Sequence, residues 1–396
     1  MARAPDFDAL IIGDGLAGLA MAVSLKSQVP TFTVGLVSEH GPQSLALPWD
    51  LRVYAVARPF EQLLRESGAW EAMTHRVSQR MERMVIWDHS DSVHSSNALR
   101  FSAEDSGQSH LGLILEQADM RQALWGVAER LGVAMICSPC RDVTFSPQKA
   151  TIELDAQSIT AKLVIAADGR HSQLRDQLKL QWQEKRYDQT AIVAHFKTHH
   201  GHQQTAWQRF LPTGPLALLP LQKNKVSCVY SMPHGLAESW MAQPPEAFAL
   251  HVTQFSDQVL GELTADSERA SFSLRFARLN RYCAHRIAFI GDSAHVVHPL
   301  AGQGINQGVA DVLALTRVLS DAHGRGLDVG EWVPLADYSR CRSAENEVMG
   351  ASIDGLYEWF RSDVKGLQLA RRFGFRALNQ APFLKALLVQ QAMGVS

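Results

Sequence analysis

The chain has 396 residues, of which 46% are hydrophobic and 20% charged, and its formal net charge is -2. This length and composition predict a globular protein with two sequential or interleaved domains, and they argue against disorder. A nearly neutral charge argues against nucleic acid as the main partner, because neutralising phosphates requires a concentrated basic field. No apolar run approaches the roughly 18 to 20 residues that a bilayer requires. Asp6 and Asp8 precede the first apolar run, so we expect no signal peptide and a cytoplasmic location.

Cysteines and histidines give weak signals for metal or redox chemistry. The five cysteines are too few and too scattered for a disulfide framework. Cys137 and Cys140 form an isolated C-x-x-C after a strand-like run, which we interpret as a strand end or turn. His295 and His298 resemble metal ligands only in spacing, because no acid–histidine helix pattern accompanies them. The histidines of residues 199–202 are interpreted as a solvated loop. The sequence therefore predicts no metal.

The N-terminal segment has the pattern of a strand, a glycine turn and a helix. Residues 9–12 form a short apolar run, residues 13–18 read GDGLAG, and residues 16–25 have the small side chains of a packed helix. Residues 33–37 predict the next strand, and Glu39 lies just past its end. Such glycines let the backbone approach a pyrophosphate at the helix N-terminus, and an acid in that place accepts hydrogen bonds from ribose hydroxyls.

Two later segments also lead from a buried strand into a polar turn. The apolar run 163–167 precedes Asp168 and Gly169, and the run 287–290 precedes Gly291 and Asp292. Residues 302–306 read GQGIN, and a helix is predicted over 303–322. Glycine turns this far apart in the chain suit a large dinucleotide that lies extended across a domain.

These motifs, in this order, resemble the flavoprotein aromatic monooxygenases, and most closely the ubiquinone-biosynthesis hydroxylases of that group. The likeness covers nearly the whole chain, including residues 50–53 (DLRV), 207–212 (WQRFLP), 214–221 (GPLALLPL), 298–304 (HPLAGQG) and 391–394 (QAMG). The resemblance implies an FAD cofactor and hydroxylation of a polyprenylated phenol or quinol in ubiquinone biosynthesis, with dioxygen forming a flavin hydroperoxide. It implies no catalytic side chain, because the flavin carries the chemistry.

The resemblance also implies which residues contact the cofactor. From the pyrophosphate and adenosine ribose, through the ribityl chain, to the pyrimidine edge of the flavin, they are Gly13, Gly15, Gly18, Glu39, Arg52, Gln117, Asp168, Asp292, Pro299, Gly302, Gln303, Gly304, Ile305 and Asn306. Amides of residues 302–306 would lie near the flavin edge that becomes anionic on reduction, a charge that a helix N-terminus stabilises. The departures from the family's usual pattern include Tyr54, Gln117, Ser293 and Gln307.

Four of the candidate residues have more than one interpretation. Asp168 and Asp292 each suit either cofactor contact or capping of the following turn, and for Asp292 we favour the cofactor. Arg209 and Tyr230 are the candidate substrate residues, although a structural salt bridge or core packing is at least as plausible for both. These alternatives stay open on sequence alone.

The predicted fold class is α/β: a Rossmann-like FAD-binding domain interleaved with a mainly antiparallel β-sheet substrate domain, plus C-terminal helices. The sheet domain is predicted because hydrophobicity alternates with period two from about residue 185 to 276. The FAD-binding domain is assigned to residues 1–77, 112–184 and 277–345, and the substrate domain to residues 78–111 and 185–276. Residues 346–396 are assigned to a C-terminal helical region.

No second strand–glycine–helix fingerprint is available for a nicotinamide nucleotide, because Gly324 and Gly326 follow a helix. We therefore expect NAD(P)H or another reductant to bind transiently. Two other function classes remain: another FAD-dependent oxidoreductase on the same fold, and a non-catalytic scaffold member of a quinone-biosynthesis complex.

The C-terminal tail, residues 365–396, is basic and contains no acid. Two interpretations remain open for it. In the first, its basic face meets the surface of an anionic membrane, in which a polyprenyl substrate dissolves. In the second, its apolar face packs on the FAD-binding domain and its charges are only solvated. The first interpretation places the protein peripherally on the inner face of the membrane, with other quinone-biosynthesis enzymes as possible partners.

Overall fold

The computed structural model describes residues 4–42, 50–75, 78–296, 303–361, 374–377 and 379. The predicted cofactor residues Pro299 and Gly302 and the candidate ligand His298 lie outside these residues, as does most of the C-terminal tail.

The described strands and helices follow one another in a mixed order along the chain. The strands are β1 (Phe7–Ile12), β2 (Val34–Ser38), β3 (Val53–Val56), β4 (Ser78–Met81), β5 (Arg83–Asp88), β6 (Leu99–Ser102), β7 (Gly112–Glu116), β8 (Ala134–Cys137), β9 (Cys140–Phe145), β10 (Ala150–Leu154), β11 (Ser158–Ala166), β12 (Trp182–Thr198), β13 (Thr205–Leu211), β14 (Gly214–Leu221), β15 (Lys225–Pro233), β16 (Leu263–Ala265), β17 (Ala270–Leu279), β18 (Cys283–Ala284), β19 (Ile287–Phe289) and β20 (His295–Val296). The α-helices are α1 (Leu16–Gln28), α2 (Arg58–Glu66), α3 (Ala69–Ala72), α4 (Gln117–Arg130), α5 (Gln173–Gln177), α6 (His234–Ala242), α7 (Pro245–Phe255), α8 (Gln303–Gly324) and α9 (Trp332–Arg361). Short 3-10 helices lie at Glu104–Ser106 and Gly291–Ser293.

An eight-stranded sheet carries the first glycine turn. Its order is β18-β19-β11-β1-β2-β8, with β10 paired to β11 and β9 to β10. The central pairs are parallel, and β1 and β2 are apolar runs with little exposed surface, as expected for strands covered on both faces. One large core joins this sheet to α1, α4 and α8. This is the predicted Rossmann-like arrangement.

A nine-stranded sheet forms the second layer. Its order is β20-β17-β12-β15-β14-β13-β5-β6, with β16 paired to β12. The long ladders β12–β15, β12–β17, β13–β14 and β14–β15 are antiparallel, whereas β13 and β5 run parallel. A separate core packs one face of this sheet against α6 and α7. The expected α/β fold class with a mainly antiparallel second sheet is confirmed.

A three-stranded sheet, β3-β7-β4, links the two larger sheets. Ile114 of β7 shares one apolar cluster with Val53 and Ala55 of β3 and with Leu219 and Leu221 of β14. The cluster joins the three-stranded sheet to the nine-stranded sheet.

Some of the predicted domain limits do not coincide with the limits of the observed sheets and helices. From the predicted segment 78–111, β5 and β6 join the nine-stranded sheet, while β4 pairs with β7 in the three-stranded sheet. Helix α9 runs through the predicted limit between residues 345 and 346, so no break in secondary structure marks it. None of the helices in the described part of the chain is both long and apolar enough to cross a membrane.

Candidate functional site

The first glycine turn joins β1 to α1 through very close backbone contacts. Gly13 has a φ of +110°, and a Cβ there would lie 2.3 Å from the carbonyl oxygen of Ala167. A Cβ on Gly18 would lie 2.0 Å from the carbonyl oxygen of Gly13. A Cβ on Gly15 would meet no atom within 4 Å, and Gly15 is the N-cap of α1. Two glycines therefore allow close packing, and the third keeps open space in front of the helix amides.

A cavity of about 490 Å³ opens beside this turn. It is lined in part by Gly13, Gly15, Glu39 and Asp168, which brings four of the sequence-predicted residues together. Glu39 lies just past the end of β2, with an exposed side chain, as the ribose-binding prediction requires. A ribose and its phosphates are the kind of ligand that such a lining suits.

Of the two roles that the sequence left open for Asp168, the structure shows the capping contact, and cofactor contact stays a prediction. One carboxylate oxygen, Oδ2, accepts a hydrogen bond from the Leu174 amide at 3.3 Å, which is a capping contact at α5. The other oxygen, Oδ1, is buried and has no hydrogen-bond partner among the described residues. Burial raises the pKa of the Asp168 carboxyl above its ordinary value, against hydrogen bonds that lower it. A hydroxyl donor from a ligand in the cavity would satisfy Oδ1.

An ion pair beneath the first turn was missed by sequence reasoning. Asp14 lines the cavity, and its carboxylate accepts hydrogen bonds from the Arg121 guanidinium and the Ser38 hydroxyl. Arg121 also donates from Nε to the Asp14 carbonyl oxygen at 3.1 Å. Arg121 belongs to α4 and lies more than a hundred positions from Asp14, the acid that it neutralises. No local sequence pattern predicts this pair.

The second glycine turn packs directly against the first. Gly291 has a φ of +59°, and a Cβ there would lie 3.1 Å from the Cβ of Ala17 in α1. Asp292 follows it in the 3-10 helix after β19, with an exposed side chain. The surrounding protein nevertheless raises the pKa of the Asp292 carboxyl by desolvation, and His295 and Arg170 only partly offset this effect. Ionisable groups whose pKa is shifted in this way concentrate at functional sites, which keeps Asp292 a candidate for ligand contact.

Two more predicted residues, Arg52 and Gln117, meet near Asp292. The Gln117 amide donates to the Arg52 carbonyl oxygen at 3.0 Å, and the Tyr54 hydroxyl donates to Gln117 Oε1 at 3.4 Å. The pKa of Tyr54 is raised by burial and then by the charge of Asp292. Tyr54 and Gln117, two departures from the family pattern, are thus hydrogen-bond partners. The Arg52 guanidinium is exposed and pairs with Asp50 at 3.2 Å.

The N-terminus of α8 lies beside the three-stranded sheet. Gln303, Gly304, Ile305 and Asn306 form its first turn, which contains no acidic residue. Asn306 Nδ2 donates to the Ala55 carbonyl oxygen at 2.9 Å, and its Oδ1 accepts from the Ala57 amide at 2.9 Å. The Asn306 side chain therefore anchors the helix to β3, and the helix amides remain the groups that face an anion.

Arg209 and Tyr230 lie on the face of the nine-stranded sheet that α7 covers. Arg209 donates to the carbonyl oxygens of Phe255 at 3.0 Å and His89 at 3.2 Å. Tyr230 is 1% exposed, its ring stacks on His251, and its hydroxyl lies 3.2 Å from Thr213 Oγ1. This placement favours the structural role that the sequence had left open for both residues.

The weaker sequence candidates have structural explanations. Strand β8 ends at Cys137 and β9 begins at Cys140, which confirms the interpretation of a strand end and turn. Burial raises the pKa of the Cys140 thiol to about 11, so it stays protonated. His295 Nε2 bonds Asp311 at 2.6 Å. Within the described ranges, no group of three or more histidines, cysteines and acids is arranged to hold a metal.

The combined site fits an extended dinucleotide. Gly15 leaves open space at the N-terminus of α1, and the exposed Asp292 follows Gly291, which lies beside Gly308 of α8. Asp168, whose Oδ1 has no hydrogen-bond partner among the described residues, lines the cavity beside the first turn. Anionic phosphates suit the first helix end, and hydroxyl donors suit the carboxylates. The residues present therefore accommodate the two halves of FAD.

Comparison with known proteins shows the family and the fold of the chain. A family model described as an FAD binding domain matches residues 6–328. The ubiquinone hydroxylase UbiL of Rhodospirillum rubrum is 33% identical over 392 residues, covering 98% of this chain and 89% of that protein. The 3-demethoxyubiquinol 3-hydroxylase of Escherichia coli (strain K12) is 30% identical, covering 97% and 98% of the two chains. The solved structure of p-nitrophenol 4-monooxygenase PnpA from Pseudomonas putida has a TM-score of 0.77 at 14% identity, covering 99% of both chains, and shares the fold.

Proposed function

The chain belongs to the FAD-binding hydroxylases of ubiquinone biosynthesis, and on that premise we propose that it hydroxylates the aromatic ring of a polyprenylated phenol or quinol. The family, the FAD cofactor and the hydroxylase class expected from the sequence are confirmed by this membership. The substrate, the residue roles and the reductant are the proposed part.

One observation carries the assignment of residues to the cofactor: the two glycine turns meet at Ala17 and Gly291. Gly13, Gly15 and Gly18 would hold the pyrophosphate, and Glu39 would hold the adenosine ribose. Asp292 would accept hydrogen bonds from the ribityl chain on the opposite side of that contact. When bound, FAD supplies the activation of dioxygen and the transfer of one oxygen atom to the ring.

The protein's own contribution is to exclude water and to orient the ring. The first turn of α8 would place its amides toward the pyrimidine edge of the flavin, where negative charge is favoured. Asn306 keeps that turn fixed on β3 through its two hydrogen bonds. No protein nucleophile is needed for this chemistry.

We assign the aromatic substrate to the face of the nine-stranded sheet opposite Tyr230. The register pairs Val193 with Val229, Val229 with Ala217, and Ala217 with Gln208, so these side chains form one row across four strands. Val193, Val229 and Ala217 are only partly buried, as is Leu219 further along the same face. Because Leu219 packs against Ile114, this face is directed toward the three-stranded sheet. We call the four apolar side chains on this face, Val193, Ala217, Leu219 and Val229, the apolar row.

The reductant, NAD(P)H or another donor, would bind transiently. Gly324 and Gly326 lie at and just after the end of α8, so they do not follow a strand and do not form a second nucleotide-binding turn. A peripheral position on an anionic membrane would give access to a polyprenyl chain. Near such a surface each exposed basic residue adds about 1 kcal/mol of attraction. Of the basic tail residues, only Arg376 is described, and it is exposed beside Phe375, which packs on Leu99 and Phe210 of the nine-stranded sheet.

The decisive experiment supplies the FAD-loaded protein with a reductant, a prenylated phenol and isotopically labelled dioxygen. We expect one labelled oxygen atom in the product, detected by mass. Label that enters from water, or oxygen uptake without incorporation into the ring, would contradict the hydroxylase assignment. Deleting the protein from cells and identifying the accumulated quinone precursor would name the substrate.

The membrane proposal has its own test. Replacing Arg371 and Arg372 together by glutamate is expected to weaken binding to anionic liposomes. FAD content and activity on a short-chain soluble phenol should stay unchanged. Unaltered liposome binding would remove the membrane role of the tail and leave only its packing.

A further inference from the structure

A buried charged cluster lies directly behind the second glycine turn. Asp311 of α8 is fully buried, and its carboxylate accepts three hydrogen bonds. Oδ2 accepts from the Gly291 amide at 2.8 Å and from His295 Nε2 at 2.6 Å, and Oδ1 accepts from Arg342 Nε at 2.7 Å. We call Asp311, His295 and Arg342 the Asp311 cluster. It joins the turn after β19 to α8 and α9.

The Asp311 carboxylate is ionised and its partners are fixed. Burial alone raises the pKa of this carboxyl, but His295 and Arg342 together hold it below the ordinary value. An ionised carboxylate only accepts hydrogen bonds, so His295 carries its proton on Nε2. Arg342 is held in turn by Gln307 Oε1 at 3.0 Å and by the Glu345 carboxylate. Asp311 and Arg342 are therefore each oriented by more than one contact.

The cluster acts on the backbone that carries Asp292. The Gly291 amide points inward to Asp311, with φ at +59° and with Ala17 on the other side of the turn. Asp292 is the next residue, and its side chain is exposed. A turn fixed from within by a charged acceptor presents the following side chain in one direction, which is the preorganisation that a binding carboxylate needs.

We propose that Asp311 is a positioning residue that, with His295 and Arg342, holds the Gly291–Asp292 turn so that the Asp292 carboxylate meets the flavin half of FAD. This inference rests on the proposed contact between Asp292 and the ribityl chain. It predicts a selective defect, because residues 13–18, which we propose hold the ADP half, take part in none of the three hydrogen bonds to Asp311.

The test measures the affinity of the flavin-free, full-length protein for FAD and for ADP. In Asp311→Asn the side-chain NH2 group replaces an acceptor oxygen and faces at least one of the three N–H donors that Asp311 accepts from. The Gly291 turn therefore loses part of its anchor. We expect FAD affinity to fall about tenfold or more, with ADP affinity unchanged within about twofold. Equal weakening of both ligands, or unchanged FAD affinity, would overturn the proposal.

Milder variants and a matched control keep the test decisive if Asp311→Asn folds poorly. His295→Gln retains a donor for Asp311 and should bind FAD nearly as the wild type does, whereas His295→Leu should lose about fivefold. Asp328→Asn breaks the 2.7 Å pair with the buried Arg286, away from the turn, and should leave the FAD-to-ADP affinity ratio unchanged. A wild-type protein that binds FAD no more tightly than ADP would instead refute the flavin contact proposed for Asp292.

Discussion

The two larger sheets build their parts of the site by different means. At the end of the parallel sheet, the proposed FAD binding would depend on the main chain, because Gly13 and Gly18 allow backbones to approach and α1 offers its amides. On the antiparallel sheet, the proposed substrate binding would depend on which side chains point to one face, as with Val229 on one side and Tyr230 on the other. The main-chain site has no room for an added atom at Gly13 or Gly18, whereas a side-chain site tolerates substitution and changes its selectivity.

The largest effect is expected from Gly18→Ala. The new Cβ would lie 2.0 Å from the Gly13 carbonyl oxygen, which is backbone and has little freedom to move. We expect a loss of about 3 kcal/mol or more in the free energy of unfolding, together with loss of bound FAD. Thermal unfolding and flavin content measure both. The matched control is Gly126→Ala within α4, where no atom lies within 4 Å and a gain of up to about 1 kcal/mol is expected.

A more selective effect is expected from substitutions at Gly15. Its Cβ would point into open space, so the fold should survive while the pyrophosphate loses its place. The series Gly15→Ala and Gly15→Val should weaken FAD binding progressively, by about tenfold or more for valine. The unfolding temperature of the flavin-free protein should change little, apart from the poor N-capping of valine. A valine variant that retains full FAD occupancy would contradict the predicted cofactor site.

A smaller effect is expected at the ion pair between Asp14 and Arg121. Arg121→Met leaves the Asp14 carboxylate uncompensated beside the predicted pyrophosphate site. FAD affinity should fall by about tenfold, and less at high salt, because the repulsion is partly screened. Adding Asp14→Asn should restore most of the affinity. Failure of this second substitution to restore binding would show that Arg121 acts through packing and not through charge.

The same contrast explains what the sequence predicted well. The glycine turns, the flanking strands and helices, and Glu39 are set by neighbours within a few residues, so a local pattern announces them. Arg121 and Arg342 reach their partners, Asp14 and Asp311, through the tertiary fold, and nothing local marks either arginine. The sequence left open which face of the antiparallel sheet Arg209 and Tyr230 occupy, for another reason. Strand β14 buries side chains of both parities, which hides the alternation that would separate Leu216 from Ala217.

The smallest effects should separate the two faces of the antiparallel sheet. Val229→Thr keeps the shape of the side chain but places a hydroxyl in the apolar row. We expect the KM for a prenylated phenol to rise about three- to tenfold, with kcat within about twofold, because the hydroxyl must be desolvated when the ring binds. Steady-state kinetics on the FAD-loaded protein measure both constants.

The adjacent residue, Tyr230, provides the control, because its substitution is expected to change stability and not KM. Tyr230→Phe removes the hydroxyl that lies 3.2 Å from Thr213, behind the sheet and against α7. The free energy of unfolding should fall by about 1 kcal/mol, while KM stays the same, because Tyr230 does not reach the substrate face. The two substitutions each change one oxygen atom at neighbouring positions of β15. If Tyr230→Phe raised KM and Val229→Thr did not, the substrate would lie on the α7 face, and Arg209 and Tyr230 would regain the role first predicted for them.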